Sequence, residues 1–340
     1  MSKIRHVWHF VLVVCVSVLA LGAGSGFSAP HEAQAEMGPG LSQPPYQDDR
    51  SNPYALMESW ANALNRREYL RAYSYWEPGA VQLHSYNVFE QGYANTRYVQ
   101  LTIGAITYGV GAGNVYYSVP ATLVVQTNSG ATQTFVGCYQ LHLGQPANQE
   151  TPPFQGLAIQ SASVRQVSNG ANTAFLMAQA CTVTGSQPYS RSPAANESDV
   201  SEDRYLDNRS TAREVMRSYI NAINRHEYLR AFSYWDSQNM QLPSFQTYQQ
   251  GYADTQSVQL AFGAVTSRAG AGQLYYSVPL TYVAHTSGGG MRYYVGCYVL
   301  HLAQPATQGV PPFQPLAILS AVVRQVSSSP DVSQASRYCP

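Results

Sequence analysis

Charged residues are scarce in this chain of 340 residues. Only 11% of them are Asp, Glu, Lys or Arg, the sole lysine is Lys3, and the formal net charge is zero. Because phosphate groups bind to clustered positive charge, this composition argues against nucleic acid as a partner. The hydrophobic fraction of 45% is sufficient for packed cores, and the length favours two domains.

Long apolar runs are also lacking. The longest, residues 7–21, is short for a bilayer span; it follows the basic Lys3 and precedes small residues, which is typical of a secretory signal peptide. The sequence Ala-Gln-Ala at 33–35 fits cleavage after Ala35, and Ala29 is the alternative site. We therefore predict a signal peptide over 1–35, export to the periplasm or the extracellular space, and no membrane span after cleavage.

Cysteine is rare as well. Five cysteines occur, and cleavage of the signal peptide removes Cys15. Four remain, and in an exported chain an even number of cysteines predicts disulfides with three alternative pairings.

What the sequence does contain is an internal duplication. Shifted by 159 residues, the chain overlays itself: Glu-Tyr-Leu-Arg-Ala at 68–72 recurs at 227–231, and Val-Gly-Cys-Tyr at 136–139 recurs at 295–298. One long-range repeat of this kind indicates two copies of a single domain. The equivalence of the copies favours one pairing of the cysteines, namely Cys138–Cys181 and Cys297–Cys339.

Composition then sets the domain boundaries. We predict a flexible N-terminal segment at 36–50, a first copy at 51–182 and a second copy at 210–340. Ser, Pro, Asn and Asp dominate the stretch between the copies, so residues 183–209 are predicted to be a disordered linker.

The first part of each copy has helical periodicity. Ser51 or Asn52 can cap a helix that begins at Pro53. Apolar stripes then mark two helices: Met57, Trp60, Ala61 and Leu64 in the first, and Tyr69, Ala72, Tyr73 and Trp76 in the second. Glu68 and Arg71 lie off the second stripe at a spacing of three, so we expect an exposed ion pair.

Strand-like alternation follows. Apolar and polar residues alternate over 99–105, 117–123 and 135–143, and a further strand is predicted from 157 to 167. Glycine-rich stretches at 109–113 and 128–130 are predicted to be the turns between them. Two helices followed by an antiparallel sheet with one apolar face define an α+β domain.

Both copies resemble a known superfamily of α+β domains. The pattern Glu-Tyr-x-x-Ala-(Tyr/Phe)-x-x-Trp at 68–76 and 227–235, the Gly-Tyr pair that follows, and the long meander resemble the nuclear transport factor 2-like (SnoaL-like) superfamily. The resemblance covers most of both copies. It implies two tandem cone-shaped α+β domains, each with N-terminal helices packed on a curved antiparallel sheet of about four strands. It also implies a pocket inside the cone.

The predicted inward positions of the strands are apolar or aromatic, and none is Asp or Glu. Enzymes of this superfamily project acids, histidines or tyrosines into the cone, so the departure disfavours acid–base catalysis. The aromatic side chains either fill the core or line a pocket for an apolar or sugar-like ligand. The candidate pocket residues are Tyr69, Trp76, Tyr93, Tyr117 and Tyr139 in the first copy and Tyr228, Trp235, Tyr252, Tyr276 and Tyr298 in the second.

Histidine is the side chain best suited to acid–base chemistry at neutral pH. His142 and His301 are equivalent, but they lie on the strand face that carries the cysteines, so we interpret them as structural or surface residues. No His or Cys pair has the spacing of a zinc site. We predict no catalytic residue, no cofactor and no metal site.

Three functions remain open. We favour a non-catalytic tandem binding or interaction module, whose partner is a small apolar ligand or a protein. The alternatives are a cone-fold isomerase, lyase or hydrolase for a small apolar substrate, and a structural cell-envelope component in which the two copies pair. The copies differ most between 77–90 and 236–249, so distinct binding preferences would be encoded there.

Overall fold

The computed structural model describes residues 43–181, 186–191, 199–236 and 242–340. The predicted signal peptide at 1–35 and residues 183–185 and 192–198 of the predicted linker lie outside the described residues. We refer to residues 43–191 as repeat 1 and to residues 199–340 as repeat 2.

Repeat 1 contains four α-helices: α1 (Pro53–Asn65), α2 (Tyr69–Ser74), α3 (Tyr86–Gly92) and α4 (Thr173–Ala178). Its strands are β1 (Thr96–Ile103), β2 (Thr107–Gly111), β3 (Asn114–Thr127), β4 (Thr132–Gly144), β5 (Ala158–Val167) and β6 (Gln187–Pro188). A short 3-10 helix, Pro146–Asn148, follows β4.

Repeat 2 follows the same order. Its α-helices are α5 (Ala212–Asn224), α6 (Tyr228–Phe232) and α7 (Phe245–Gln250). Its strands are β7 (Thr255–Phe262), β8 (Thr266–Gly270), β9 (Gln273–Thr286), β10 (Met291–Ala303) and β11 (Ala317–Val326). Two 3-10 helices complete it, Pro305–Thr307 and Val332–Tyr338.

Each repeat forms one antiparallel sheet on which helices pack, so the α+β class is confirmed. In repeat 1 the strand order is β5-β4-β3-β2-β6, and β1 also pairs with β3. In repeat 2 the order is β11-β10-β9-β7, and β8 also pairs with β9. The long strands β3 and β9 are therefore central, and each is flanked on one side by two short strands that lie end to end.

The sheets have more strands than the sequence predicted. The stretch 109–113 was predicted to be a turn because it is rich in glycine, but residues 107–111 form β2. The turn itself consists of Ala112 and Gly113, whose φ angles of 49° and 76° are those of a tight hairpin. Glycine at 109 and 111 is tolerated because β2 is a short strand near the edge of the sheet.

Pro120 marks the point at which the partner of β3 changes. The last residue of β1 pairs with Ala121 and the first residue of β2 pairs with Ser118, so Pro120 faces the gap between the two short strands. Its carbonyl accepts a bond from Gly104 N across that gap. A residue without an N–H is accommodated there because no ladder partner requires one.

Helix α1 begins as predicted and fixes the core of repeat 1. The Asn52 side chain accepts a hydrogen bond from Ala55 N, and Pro53 occupies the first helical position. The buried face of α1 packs on β4, where the ring centroids of Trp60 and Tyr139 lie 5.6 Å apart. Repeat 2 has a separate core of the same design, in which Tyr219 takes the position of Trp60.

Both predicted disulfides are confirmed. Cys138 is bonded to Cys181 and Cys297 to Cys339, with sequence separations of 43 and 42. Tyr139 faces α1, so the neighbouring Cys138 faces the opposite side of the sheet. Each bridge therefore ties a C-terminal segment, α4 or the Val332–Tyr338 helix, to the face of the sheet away from the core helix.

The segments that precede α1 and α5 are packed, in contrast to the prediction of flexibility over 36–50 and disorder over 183–209. Asp48, Leu206 and Asp207 are buried, and Val200 belongs to the core of repeat 2. Composition misled here because the polar residues of these segments find partners in the protein. These findings concern residues 43–50 and 199–209; residues 186–191 of the predicted linker are also described and include β6.

The same two segments join the repeats reciprocally. Asp49 and Asn208 form an antiparallel bridge. Arg50 N donates to Asp207 O at 2.7 Å, and Arg209 N donates to Asp48 O at 2.6 Å. Since 48 and 50 are equivalent to 207 and 209, each contact recurs with the repeats exchanged, as in a two-fold symmetric dimer.

A buried arginine lies beneath each of these segments. Arg71 Nη2 lies 2.5 Å from Glu68 Oε2 and also donates to Asn62 Oδ1 at 2.8 Å. A further bond goes to the Gln47 carbonyl, and the Tyr46 ring covers the guanidinium at 4.6 Å. The prediction of an exposed Glu68–Arg71 pair is therefore wrong, because residues 46–47 shield it from solvent.

Candidate functional site

The predicted pocket residues of repeat 1 all belong to or pack against one core, but they have different aromatic neighbours. Tyr69 stacks on Tyr93 at 6.2 Å, and Tyr117 packs against Tyr189 at 5.3 Å. Tyr139 is buried in the core against Trp60. Trp76 lies at the other end of α2, where its backbone bridges to Ile159.

The predicted residues of repeat 2 are arranged in the same way, but with more hydroxyl groups. Tyr228 stacks on Tyr252 at 6.0 Å, and Tyr298 is buried 6.2 Å from Trp235. The Tyr219 and Tyr252 hydroxyls are 2.7 Å apart, and Tyr248 donates to Tyr219 at 3.3 Å. Tyr276 is half-buried, like its counterpart in repeat 1.

Burial raises the pKa values of these tyrosine hydroxyls further above neutral pH. It raises the pKa of Tyr117 to about 12, with smaller contributions from Tyr189 and Tyr108. Burial likewise raises the pKa of Tyr252, against the hydrogen bonds from Tyr219 and Tyr248. At neutral pH the hydroxyls therefore act as hydrogen-bond donors and acceptors and carry no charge.

A cleft of about 250 Å³ lies beside one of the predicted residues, Trp235. Three elements converge on it: the chain that leaves α6, the end of β10 and the approach to β11. The junction segment between the repeats supplies an arginine. The lining residues are Arg209, Ser233, Trp235, Asp236, His301, Ala303, Gln314, Pro315 and Ala317.

His301 occupies one wall of the cleft. Its Nε2 lies 2.5 Å from Gln273 Oε1, and Tyr275 stacks on its ring at 4.8 Å. Its Nδ1 lies 3.9 Å from Asp236 Oδ2, which is too far for a direct hydrogen bond. The interpretation of His301 as a structural or surface residue stays a prediction; strand alternation alone does not show which loops lie beside the strand.

Arg209 is held rigidly at another wall. Its guanidinium donates to the Ser233 carbonyl at 3.0 Å and to the Leu316 carbonyl at 3.3 Å. The Tyr234 ring lies 4.3 Å from the guanidinium carbon. The arginine is also paired with a carboxylate, since its Nε lies 4.0 Å from Asp207 Oδ1.

In repeat 1 the equivalent histidine contacts a longer acid directly. His142 Nδ1 lies 3.0 Å from Glu77 Oε1, and its Nε2 lies 2.8 Å from Asn114 Oδ1. Tyr116 stacks on this ring at 4.9 Å. Because Asp236 is one methylene shorter than Glu77, its carboxylate stays 3.9 Å from His301 and forms no direct hydrogen bond with it.

The indole N–H of Trp235 has no hydrogen-bond partner among the described residues, although the atom is buried. The same atom of Trp76 is also buried without a partner among those residues, so this feature is common to both repeats. In the cleft itself, the imidazole and the carboxylate present both donors and acceptors around a small volume. This arrangement fits a ligand with hydroxyl groups.

The sequence contains two features that relate to the residues of this cleft. Asp-x-Arg-Ser precedes both core helices, at 48–51 and at 207–210, and so belongs to the duplication. Position 236 lies in the segment where the copies differ most, as does its counterpart Glu77. Neither signal shows by itself that Arg209 and Asp236 approach His301.

No family model, curated protein or solved structure matches this chain. Within the described residues, no three His, Cys, Asp or Glu side chains are grouped so that they could hold a metal ion. No helix in the same residues is long and apolar enough to cross a membrane.

Proposed function

We propose that this protein is an exported, non-catalytic tandem binding module, and that the cleft of repeat 2 binds a small neutral ligand rich in hydroxyl groups, such as a monosaccharide. The observation that carries the proposal is the cleft itself, in which His301 Nδ1 and Asp236 Oδ2 lie 3.9 Å apart beside the Trp235 side chain. The two disulfides are compatible with the export that the N-terminal sequence predicts.

The size and chemistry of the cleft support a ligand of this class. Its volume of about 250 Å³ lies below the roughly 300–1,000 Å³ that is typical of sites for drug-sized ligands. The side chain of Trp235 offers an apolar surface as well as a donor. Asp236 Oδ2 and His301 Nδ1, 3.9 Å apart, can both bond to one hydroxyl group that lies to the side of the line joining them.

The test is isothermal titration of the oxidised, full-length mature protein with glucose, galactose and N-acetylglucosamine. Asp236→Glu copies the closed arrangement of Glu77, so we expect it to weaken binding about tenfold or more. Trp235→Phe should reduce the affinity for the sugar. Trp76→Phe, at the equivalent position of repeat 1, is the matched control and should leave the affinity unchanged.

Two outcomes would contradict the proposal. The first is a lack of heat from all three sugars even at about 10 mM, where a site with a millimolar Kd would be occupied. The second is equal loss of affinity in Trp76→Phe and Trp235→Phe, which would locate the effect outside the cleft. Chemical conversion of a bound sugar would favour the enzymatic alternative.

The reciprocal junction favours a second candidate function, a structural component of the cell envelope. The bonds among residues 48–50 and 207–209 join the repeats without a ligand. If the sugars fail to bind and both repeats unfold in one cooperative transition, the structural function is the better supported of the two.

A further inference from the structure

The imidazole of His301 is oriented through its Nε2 atom. This nitrogen lies 2.5 Å from the side-chain oxygen of Gln273, which accepts, so Nε2 carries the hydrogen. In the neutral ring Nδ1 is then an acceptor. Nδ1 faces Asp236 Oδ2 at 3.9 Å, and two acceptors form no hydrogen bond with each other. The arrangement in repeat 2 is therefore that of a neutral imidazole.

Repeat 1 shows the arrangement of a protonated imidazole. His142 Nδ1 lies 3.0 Å from Glu77 Oε1, and its Nε2 lies 2.8 Å from Asn114 Oδ1. Both partner atoms are acceptors, so both ring nitrogens donate, which only the protonated ring does. The duplication thus presents the same histidine–acid pair once joined and once apart.

The titratable groups around His301 come from three parts of repeat 2. Tyr275 on β9 stacks on its ring, Asp236 follows α6, and Arg209 in the junction segment lines the same cleft. Arg209 is paired with Asp207, and the cleft residues at the approach to β11 carry no titratable group. Among the described residues that line the cleft, Asp236 is thus the carboxylate that a charged His301 meets.

We propose that acid closes the cleft of repeat 2: protonated His301 donates its Nδ1 hydrogen to Asp236 Oδ2, and the bound ligand is released. The inference rests on the ligand-binding function proposed above. In the neutral state, a hydroxyl group beside the two acceptors shares its hydrogen between them as a three-centre bond. Protonation turns Nδ1 into a donor, and its charge-assisted bond to the carboxylate is stronger than a bond to a neutral hydroxyl group. The ligand therefore loses both acceptors.

Nitrogen NMR of the full-length mature protein, with isotopically labelled histidine, tests the closure without a ligand. We expect His301 Nδ1 to bear no hydrogen at about pH 8 and to bear a hydrogen-bonded one at about pH 5.5. His301→Gln assigns the signals. Asp236→Ala should make the Nδ1 hydrogen exchange rapidly with water, because the bond that protects it is then absent.

Isothermal titration with glucose, galactose and N-acetylglucosamine at the same two pH values measures the release. We expect the wild type to bind about fivefold more weakly in acid, and His301→Gln to bind equally at both pH values. Asp49 also titrates in this range, since burial raises its pKa to about 6. Asp49→Asn is therefore the matched control and should keep the response of the wild type.

The outcomes separate the switch from the proposed function. Equal sugar affinity at both pH values would overturn the switch and leave the binding function standing. An Nδ1 hydrogen already present at about pH 8, or one that exchanges equally fast in wild type and Asp236→Ala, would also overturn the switch. If the bonded Nδ1 hydrogen appears in acid but the three sugars bind at neither pH, the closure stands and the binding function is wrong.

Discussion

Substitution of Arg230, the buried arginine of repeat 2, tests whether its buried contacts stabilise the segment that joins the two repeats. Arg230 is fully buried, with Nη2 2.6 Å from Glu227 Oε2 and 2.9 Å from Asn221 Oδ1. It also donates to the Leu206 carbonyl in the segment that joins the repeats. We expect Arg230→Met to lower the free energy of unfolding by about 3 kcal/mol.

The magnitude follows from what the substitution leaves behind. Loss of one partner of a buried ion pair costs about 3–5 kcal/mol, because the remaining charge is left without compensation. Glu227 keeps one partner, since Arg225 Nε lies 2.8 Å from its Oε1, so the lower end of the range applies. Methionine matches the length of the arginine stem, which keeps the cavity term small.

Arg225 supplies a matched control on the same carboxylate. Its side chain is 25% exposed, so Arg225→Met should cost less than about 1 kcal/mol. Glu227→Gln added to Arg230→Met should restore part of the stability, because the buried carboxylate is then removed and the partly exposed Arg225 can be solvated. Urea unfolding of the oxidised protein, followed by tryptophan fluorescence and circular dichroism, measures each difference. If Arg230→Met and Arg225→Met destabilise equally, the reasoning about burial is wrong.

Two further predictions concern the junction and the disulfides. Burial raises the pKa of Asp49 to about 6, so the native state holds a proton that the unfolded chain loses, and stability should fall as pH rises from about 4 to 6. Asp49→Asn, which copies Asn208, should remove this fall and stabilise by about 2 kcal/mol at pH 7 in urea unfolding; an unchanged pH profile would contradict it. Replacing Cys297 and Cys339 by serine opens a loop with a sequence separation of 42. It should lower the free energy of unfolding by about 4 kcal/mol in the same assay. A decrease below about 1 kcal/mol would contradict the Cys297–Cys339 pairing.

The helices and the disulfides were predictable because they depend on local or repeated signals. A cap at Asn52 and a proline at 53 are read from adjacent residues. The pairing of Cys138 with Cys181 follows from the duplication alone. The cone-shaped architecture of the resembling superfamily stays a prediction, since neither the sheet order nor the comparisons test it.

The errors share a physical cause. Residues 43–50 and 199–209 are polar, and polar composition predicts exposure when no partner is known. The partners lie far away in the sequence, as Arg71 and Gln47 or Arg50 and Asp207 show. A strand such as β2 is missed for a related reason, because pairing with β3 outweighs the weak strand preference of its glycines.

By itself, the sequence determined the duplication, the α+β class, the first helix of each copy and both disulfides, since each follows from periodicity or from equivalence at a fixed shift. Only the tertiary structure decided that His301 Nδ1 and Asp236 Oδ2 lie 3.9 Å apart in a cleft, and that residues 187 and 188 pair with β2. Those features depend on distances between segments that are remote in the chain, and side-chain spacing along a sequence does not encode them.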